Sequence, residues 1–97
     1  MKILLFGGSG CLGQELIKIN PEIISPTRED CDVFKLDDVL ETIVEHSPDI
    51  IIHAAAMTDN RLVEKLPSNA IASNINGTAN VVMACIQKGI RLVFIST

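Results

Sequence analysis

Tyrosine and tryptophan are absent from the 97 residues, so no tyrosine general acid lies within them. An excess of positive charge is absent too. Eight Lys and Arg stand against twelve Asp and Glu, leaving a net charge of -4, and the basic residues are scattered. That argues against a surface built to neutralise nucleic-acid phosphates, which takes clustered Lys and Arg. No apolar run is long enough to cross a bilayer, the longest uncharged one being Ile50 to Met57. The three cysteines, Cys11, Cys31 and Cys85, are odd in number and have no CxxC spacing. They read as reduced thiols rather than a disulfide frame or a metal site, with Cys85 in the core. Met1-Lys2 runs directly into Ile3-Leu4-Leu5-Phe6 and two glycines, without the apolar stretch and cleavage site of a signal peptide, so a cytoplasmic location is expected. What is present, 47% hydrophobic and 21% charged residues, suits one small folded domain and excludes a two-domain enzyme. There is no internal repeat, low-complexity segment or linker.

Short apolar runs alternate with helix-length amphipathic segments, the pattern of helices packed on a parallel sheet. Lys2 to Phe6, Ile50 to His53 and Arg91 to Ile95 read as strands buried on both faces, with Glu22 to Ser25 as a weaker one. Leu12 to Ile19 has Leu12, Leu16 and Ile19 at helical spacing and is stopped by Asn20-Pro21. Leu36 to His46 puts Leu36, Val39, Leu40, Ile43 and Val44 on one face and acidic residues on the other. A longer helix is predicted from Ser68 to Lys88, opened by Pro67 and closed by Gly89. The expected fold is α/β: a Rossmann-like doubly wound half-domain over residues 1–97, with four parallel strands in the spatial order 3-2-1-4 and right-handed crossovers.

The sharpest motif is Gly7-Gly8-Ser9-Gly10-Cys11-Leu12-Gly13, between the first strand and the first helix. Gly7 can make the tight turn, Gly10 lets the backbone approach a pyrophosphate, and Gly13 lets helix and strand pack closely. The free N–H groups of the helix start then favour an anion. Gly7, Ser9, Gly10, Cys11, Leu12 and Gly13 are therefore expected to bind a dinucleotide cofactor. After the second strand, where an Asp or Glu would hold the ribose hydroxyls of NAD, stands Ser25-Pro26-Thr27-Arg28. A hydroxyl and a guanidinium from Thr27 and Arg28 suit a 2'-phosphate, which favours NADP(H) over NAD(H). Ala54, Ala55 and Ala56 supply small side chains where the cofactor passes the third strand. His53, alone at a strand end, reads as a hydrogen-bonded structural residue.

The spacing G-x-x-G-x-x-G resembles that of the extended short-chain dehydrogenase/reductases. Four blocks, MKILLFGGSGCLGQEL (1–16), SPDIIIHAAAMT (47–58), NINGTAN (74–80) and RLVFIST (91–97), are similar to the dTDP-4-dehydrorhamnose reductase family of sugar-nucleotide enzymes. The resemblance implies that Asp32 and Val33 contact the adenine, that Asn74 braces the sheet with Gly77 permitting close packing, and that Thr97 is the catalytic Ser/Thr that polarises the substrate carbonyl. It also implies that the catalytic Tyr and Lys of a Y-x-x-x-K motif, and the sugar-nucleotide pocket, belong to sequence beyond Thr97. Arg61-Leu62 replaces an Asp-Lys pair common in the family.

The expectation is thus the NAD(P)H-binding portion of a reductase acting on a dTDP-4-keto-6-deoxy sugar, inactive alone. The alternatives are a non-catalytic NADP(H)-binding regulatory module and part of a nucleotide-sugar epimerase or dehydratase. Expected partners are the cofactor and a nucleotide-sugar substrate, with no nucleic acid and no membrane. The apolar edge Leu92 to Ile95 is a candidate for homo-oligomer formation.

Overall fold

The computed structural model describes residues 1–54 and 68–95, and only the backbone between 68 and 76. Strand β1 (Ile3–Phe6) carries Leu4, Leu5 and Phe6, all buried. It pairs in parallel with β2 (Ile50–His53), Ile3 opposite Ile50 and Phe6 opposite His53. On its other side β2 pairs in parallel with β3 (Arg91–Phe94), Ile50 opposite Arg91 and His53 opposite Phe94. The sheet order among the described residues is β1-β2-β3.

This corrects the expected four-stranded sheet of order 3-2-1-4. The third expected strand, not the fourth, lies beside the first, and the fourth lies beside the third. Glu22 to Ser25 shrinks to a single bridge, Ile24 to Leu4, on the free edge of β1. Leu5 N–H donates to the Ile24 carbonyl at 2.8 Å and Ile24 N–H to the Ile3 carbonyl at 2.9 Å. The ladder cannot lengthen from there. Glu22 N–H is held by the Asn20 side chain at 3.2 Å and Ile23 N–H by the Asn20 carbonyl at 3.1 Å, while Pro26 has no N–H to give. The exposures of β3 match its place at the rim, with Val93 and Phe94 at 43% and 47%.

Residues opposite one another in the register share a face, so Leu4, Phe6, Ile51, His53 and Leu92 point the same way. Helix α2 (Leu36–His46) and helix α3 (Ser68–Lys88) cover that face, contributing Val39 and Ile43, and Val81, Ala84 and Cys85. Cys85 is in the core as expected, and Cys31 joins it. The helix ends follow local chemistry. Helix α1 (Cys11–Ile19) stops where Asn20 N–H returns to the Leu16 carbonyl ahead of Pro21. Helix α2 ends at Ser47, which takes a left-handed conformation with φ 47° before the buried Pro48. In α3 Gly89 (φ 66°) closes the helix while Ile90 N–H reaches the Cys85 carbonyl and Gly89 N–H the Ile86 carbonyl, a Schellman motif. No helix among the described residues is long and apolar enough to cross a membrane.

Ile51, fully buried at the centre of the sheet, tests this core. Ile51→Ala is expected to cost about 2–5 kcal/mol in urea unfolding, with an unchanged denaturant slope.

Candidate functional site

Chain connections leave β1 in both directions, toward the Ile24 bridge and toward β2, so a crevice opens at the carboxyl end of β1. A cavity of about 610 Å³ lies there. Its floor is the glycine turn. Gly7 has φ 95°, a backbone state that strains any residue with a Cβ, and Gly10 N–H closes the turn on the Gly7 carbonyl at 3.2 Å. A Cβ on Gly13 would collide with that same carbonyl oxygen, so α1 begins in direct contact with the end of β1.

Gly10 is different. Its backbone, φ -75° and ψ 171°, suits any residue, and a Cβ there would meet only the Gly7 oxygen at an ordinary 3.6 Å. Neither conformation nor packing requires glycine at this position; its missing side chain leaves the cavity open. Gly10 is also the N-cap of α1 and makes no side-chain cap, and the first turn holds no acidic residue. The amides of Cys11, Leu12 and Gly13 therefore start the helix without a capping side chain, in the arrangement that attracts an anion.

One wall comes from Ser25 to Arg28. Thr27 and Asp30 brace each other: Asp30 N–H donates to Thr27 Oγ1 at 3.2 Å and Thr27 N–H to Asp30 Oδ2 at 3.4 Å. Arg28 is exposed, lines the cavity, and has no carboxylate partner among the described residues. Its guanidinium lies over the Phe34 ring, 5.4 Å from the centroid. Val33 and Phe34 continue this wall.

The opposite wall holds His53 and Ala54 from β2 with Gly77 and Thr78 from α3. His53 is 1% exposed, set edge-on to Phe6 with ring centroids 6.4 Å apart and tilted against Phe94 at 5.8 Å. Its Nε2 shares a 3.2 Å hydrogen bond with Thr78 Oγ1, while the buried Nδ1 has no partner among the described residues. Burial pushes its pKa below the ordinary imidazole value, so the ring is neutral at pH 7. Burial likewise raises the pKa of Cys31 and Cys85, which keeps both as thiols.

Of the expected cofactor residues, Gly7, Ser9, Gly10, Thr27, Arg28, Val33 and Ala54 line this one cavity. Cys11, Leu12 and Gly13 stand behind it in the first turn of α1. Asp32 is turned into its own loop, its carboxylate accepting from Phe34 N–H at 3.0 Å. Ala55, Ala56, Arg61, Leu62 and Thr97 lie outside the described residues, as does the Asn74 side chain. Sequence reasoning missed Phe34 and Thr78. Phe34 is one of only three aromatic residues and directly follows Val33, a signal that could have drawn notice. Thr78 had none beyond its place next to Gly77.

A parallel sheet, a glycine turn into an uncapped helix and a crevice at the topological switch together define a Rossmann-like α/β protein. The family model for the RmlD substrate binding domain matches residues 1–97, and the chain belongs to that family. It is 31% identical over 98 residues to a dTDP-4-keto-6-deoxy-D-glucose reductase of Streptomyces niveus, covering 97% of this chain and 34% of that protein. It is 28% identical over 98 residues to a dTDP-4-dehydrorhamnose reductase of Burkholderia thailandensis, covering 98% of this chain and 32% of that one. The solved structure of a dTDP-4-dehydrorhamnose reductase from Bacillus anthracis, in complex with NADP, superposes with a TM-score of 0.80 at 35% identity, covering 99% of this chain and 36% of that one. The chain thus spans about a third of the length of these relatives.

Two predictions follow from the geometry. Gly13→Ala should cost about 1–3 kcal/mol in chemical unfolding, since its Cβ meets backbone that cannot swing aside, whereas Gly10→Ala should change stability by less than about 1 kcal/mol. The unfolded chain takes up a proton on His53 that the folded chain resists, so stability should decline as pH falls through about 6.5. The thermal midpoint measured from pH 7 down to pH 5 should show this decline, and His53→Asn should flatten it.

Proposed function

We propose that residues 1–97 form the NADP(H)-binding part of a sugar-nucleotide reductase that acts on a dTDP-4-keto-6-deoxy sugar. The observation that carries this reading is Gly10, a glycine that neither its backbone nor its neighbours require, placed at the uncapped start of α1 inside the cavity. A pyrophosphate fits there: the amides of the first helical turn donate to it and the helix dipole favours its charge. Arg28 and Thr27 line the same cavity on the far wall, where a guanidinium and a hydroxyl suit an adenosine 2'-phosphate. Ala54, small and buried at the end of β2, lets the cofactor pass close to the sheet. When bound, the reduced cofactor supplies the hydride. His53, neutral and tied to Thr78, holds the wall in place rather than moving a proton.

The relatives named above support the substrate class, and the reductase in complex with NADP supports the cofactor. Thr97 takes the role of polarising the substrate carbonyl. No residue of the 97 is Tyr, so the proton donor of the resemblance belongs to another part of the protein, together with the sugar-nucleotide pocket. A second reading of the same cavity is an NADP(H)-binding module that regulates a partner without chemistry.

Titration of the protein with NADPH and NADH, followed by cofactor fluorescence, tests the reading. NADPH should bind more tightly than NADH, and Gly10→Ala should weaken both by about tenfold or more as its methyl enters the phosphate site. Arg28→Ala should weaken NADPH by roughly 10- to 100-fold, the worth of a lost charge-assisted contact, and leave NADH unchanged. No saturable binding of either cofactor to the folded protein would overturn the assignment. Oxidation of NADPH in the presence of a dTDP-4-keto-6-deoxy sugar, measured on the full-length protein that carries residues 1–97, separates the two readings: turnover supports the reductase, and tight binding without turnover supports the module.

A further inference from the structure

Arg28 sits on the surface at the cavity mouth, on a long side chain with many rotamers, and an unheld guanidinium of that kind reads a phosphate poorly because it must be ordered each time. Here it is held. Its Cζ lies 5.4 Å from the centroid of the Phe34 ring, within the range at which the ring face attracts a cation. The ring in turn is anchored through its backbone and packed against α3. Phe34 N–H donates to Asp32 Oδ1 at 3.0 Å, and the preceding carbonyl, that of Val33, accepts from Asn80 Nδ2 of α3 at 3.0 Å. Gly77 of α3 comes so near the ring that a Cβ there would lie 3.0 Å from its Cδ1 and Cε1. Phe34 thus adjoins both the bare helix backbone at Gly77 and the Arg28 guanidinium, and both Phe34 and Arg28 line the cavity.

We infer that Phe34 is a positioning residue for cofactor choice: its ring is the platform that keeps Arg28 aimed at the 2'-phosphate, so discrimination between NADPH and NADH depends on a side chain that need not touch that phosphate. The inference rests on the reading of the cavity as an NADP(H) site and adds to it the residue through which Arg28 acts. It also gives Asp32 a task other than adenine contact, because its carboxylate anchors the Phe34 backbone.

The test measures dissociation constants for NADPH and NADH on the parent protein and on Arg28→Ala, Phe34→Leu and Phe34→Tyr, with folding checked by circular dichroism. Phe34→Leu keeps the apolar bulk and removes the ring face. It should raise the NADPH constant by about two- to fivefold, the scale of an exposed cation–π contact, and leave the NADH constant unchanged. Phe34→Tyr keeps the face and should restore the parent ratio. If Phe34→Leu does not fold, Gly77→Ala replaces it: the added methyl displaces the ring and should lower the NADPH preference in the same direction. A ratio unchanged by Phe34→Leu, or a loss shared equally by NADPH and NADH, overturns the proposal. Failure of the underlying reading looks different, since then the parent shows no preference for NADPH and Arg28→Ala changes nothing.

Discussion

Because Gly13 carries no side chain, the first turn of α1 lies directly on the Gly7 carbonyl, and the geometry of the cavity is referred to that contact. A larger residue at 13 would push the helix start away from the end of β1 and carry the amides of residues 11 to 13 out of the crevice. Gly7, in a left-handed conformation, turns the chain sharply enough for the contact to form. The strand end is itself held by the core, because Leu4, Leu5 and Phe6 are buried and the strand is paired on both edges at Leu4 and Leu5. A local steric requirement at one glycine thereby fixes where the uncapped start of α1 stands at the end of β1.

The two walls come from segments far apart in the chain, and α3 joins them. Gly77 backs the Phe34 ring, Thr78 bonds His53, and Asn80 bonds the Val33 carbonyl, so nearly one turn of helix reaches both sides of the crevice. Val81, Ala84 and Cys85, on the core side of the same helix, bind it to the sheet through apolar burial. Packing energy and site geometry are therefore coupled: what loosens α3 from Ile51 and Val39 also loosens the wall that holds His53 and the ring beneath Arg28. The neutrality of His53 belongs to the same arrangement, since a charged imidazole between Phe6 and Phe94 would lose its hydration without gaining a counter-charge.

Much of this was legible in the chain. The glycine turn can be read because its signals are local: a strand, a residue that must turn left, a helix start and a close approach fall within seven positions. The limits of α2 and α3 can be read because Ser47-Pro48 and Gly89 end helices by their own backbone chemistry. The strand order could not be read, since buried runs of similar composition compete for the two edges of β1 and nothing within a run names its neighbour. The outcome turned on details beyond any run, the capture of two amides by Asn20 and the missing N–H of Pro26. The hydrogen bond of the Asp32 carboxylate to Phe34 N–H was likewise not read from the chain.

By itself the sequence determined the α/β class, the position of the glycine turn and a set of residues that line one cavity, because each depends on contacts between near neighbours or on periodicity along one element. Only the tertiary structure decided which strand adjoins β1, that Arg28 stands on Phe34, and that Thr78 fastens His53. Those pairs lie 6 and 25 positions apart, and what brings them together is the docking of α3 against the sheet, a long-range packing event that leaves no mark on either partner's local sequence.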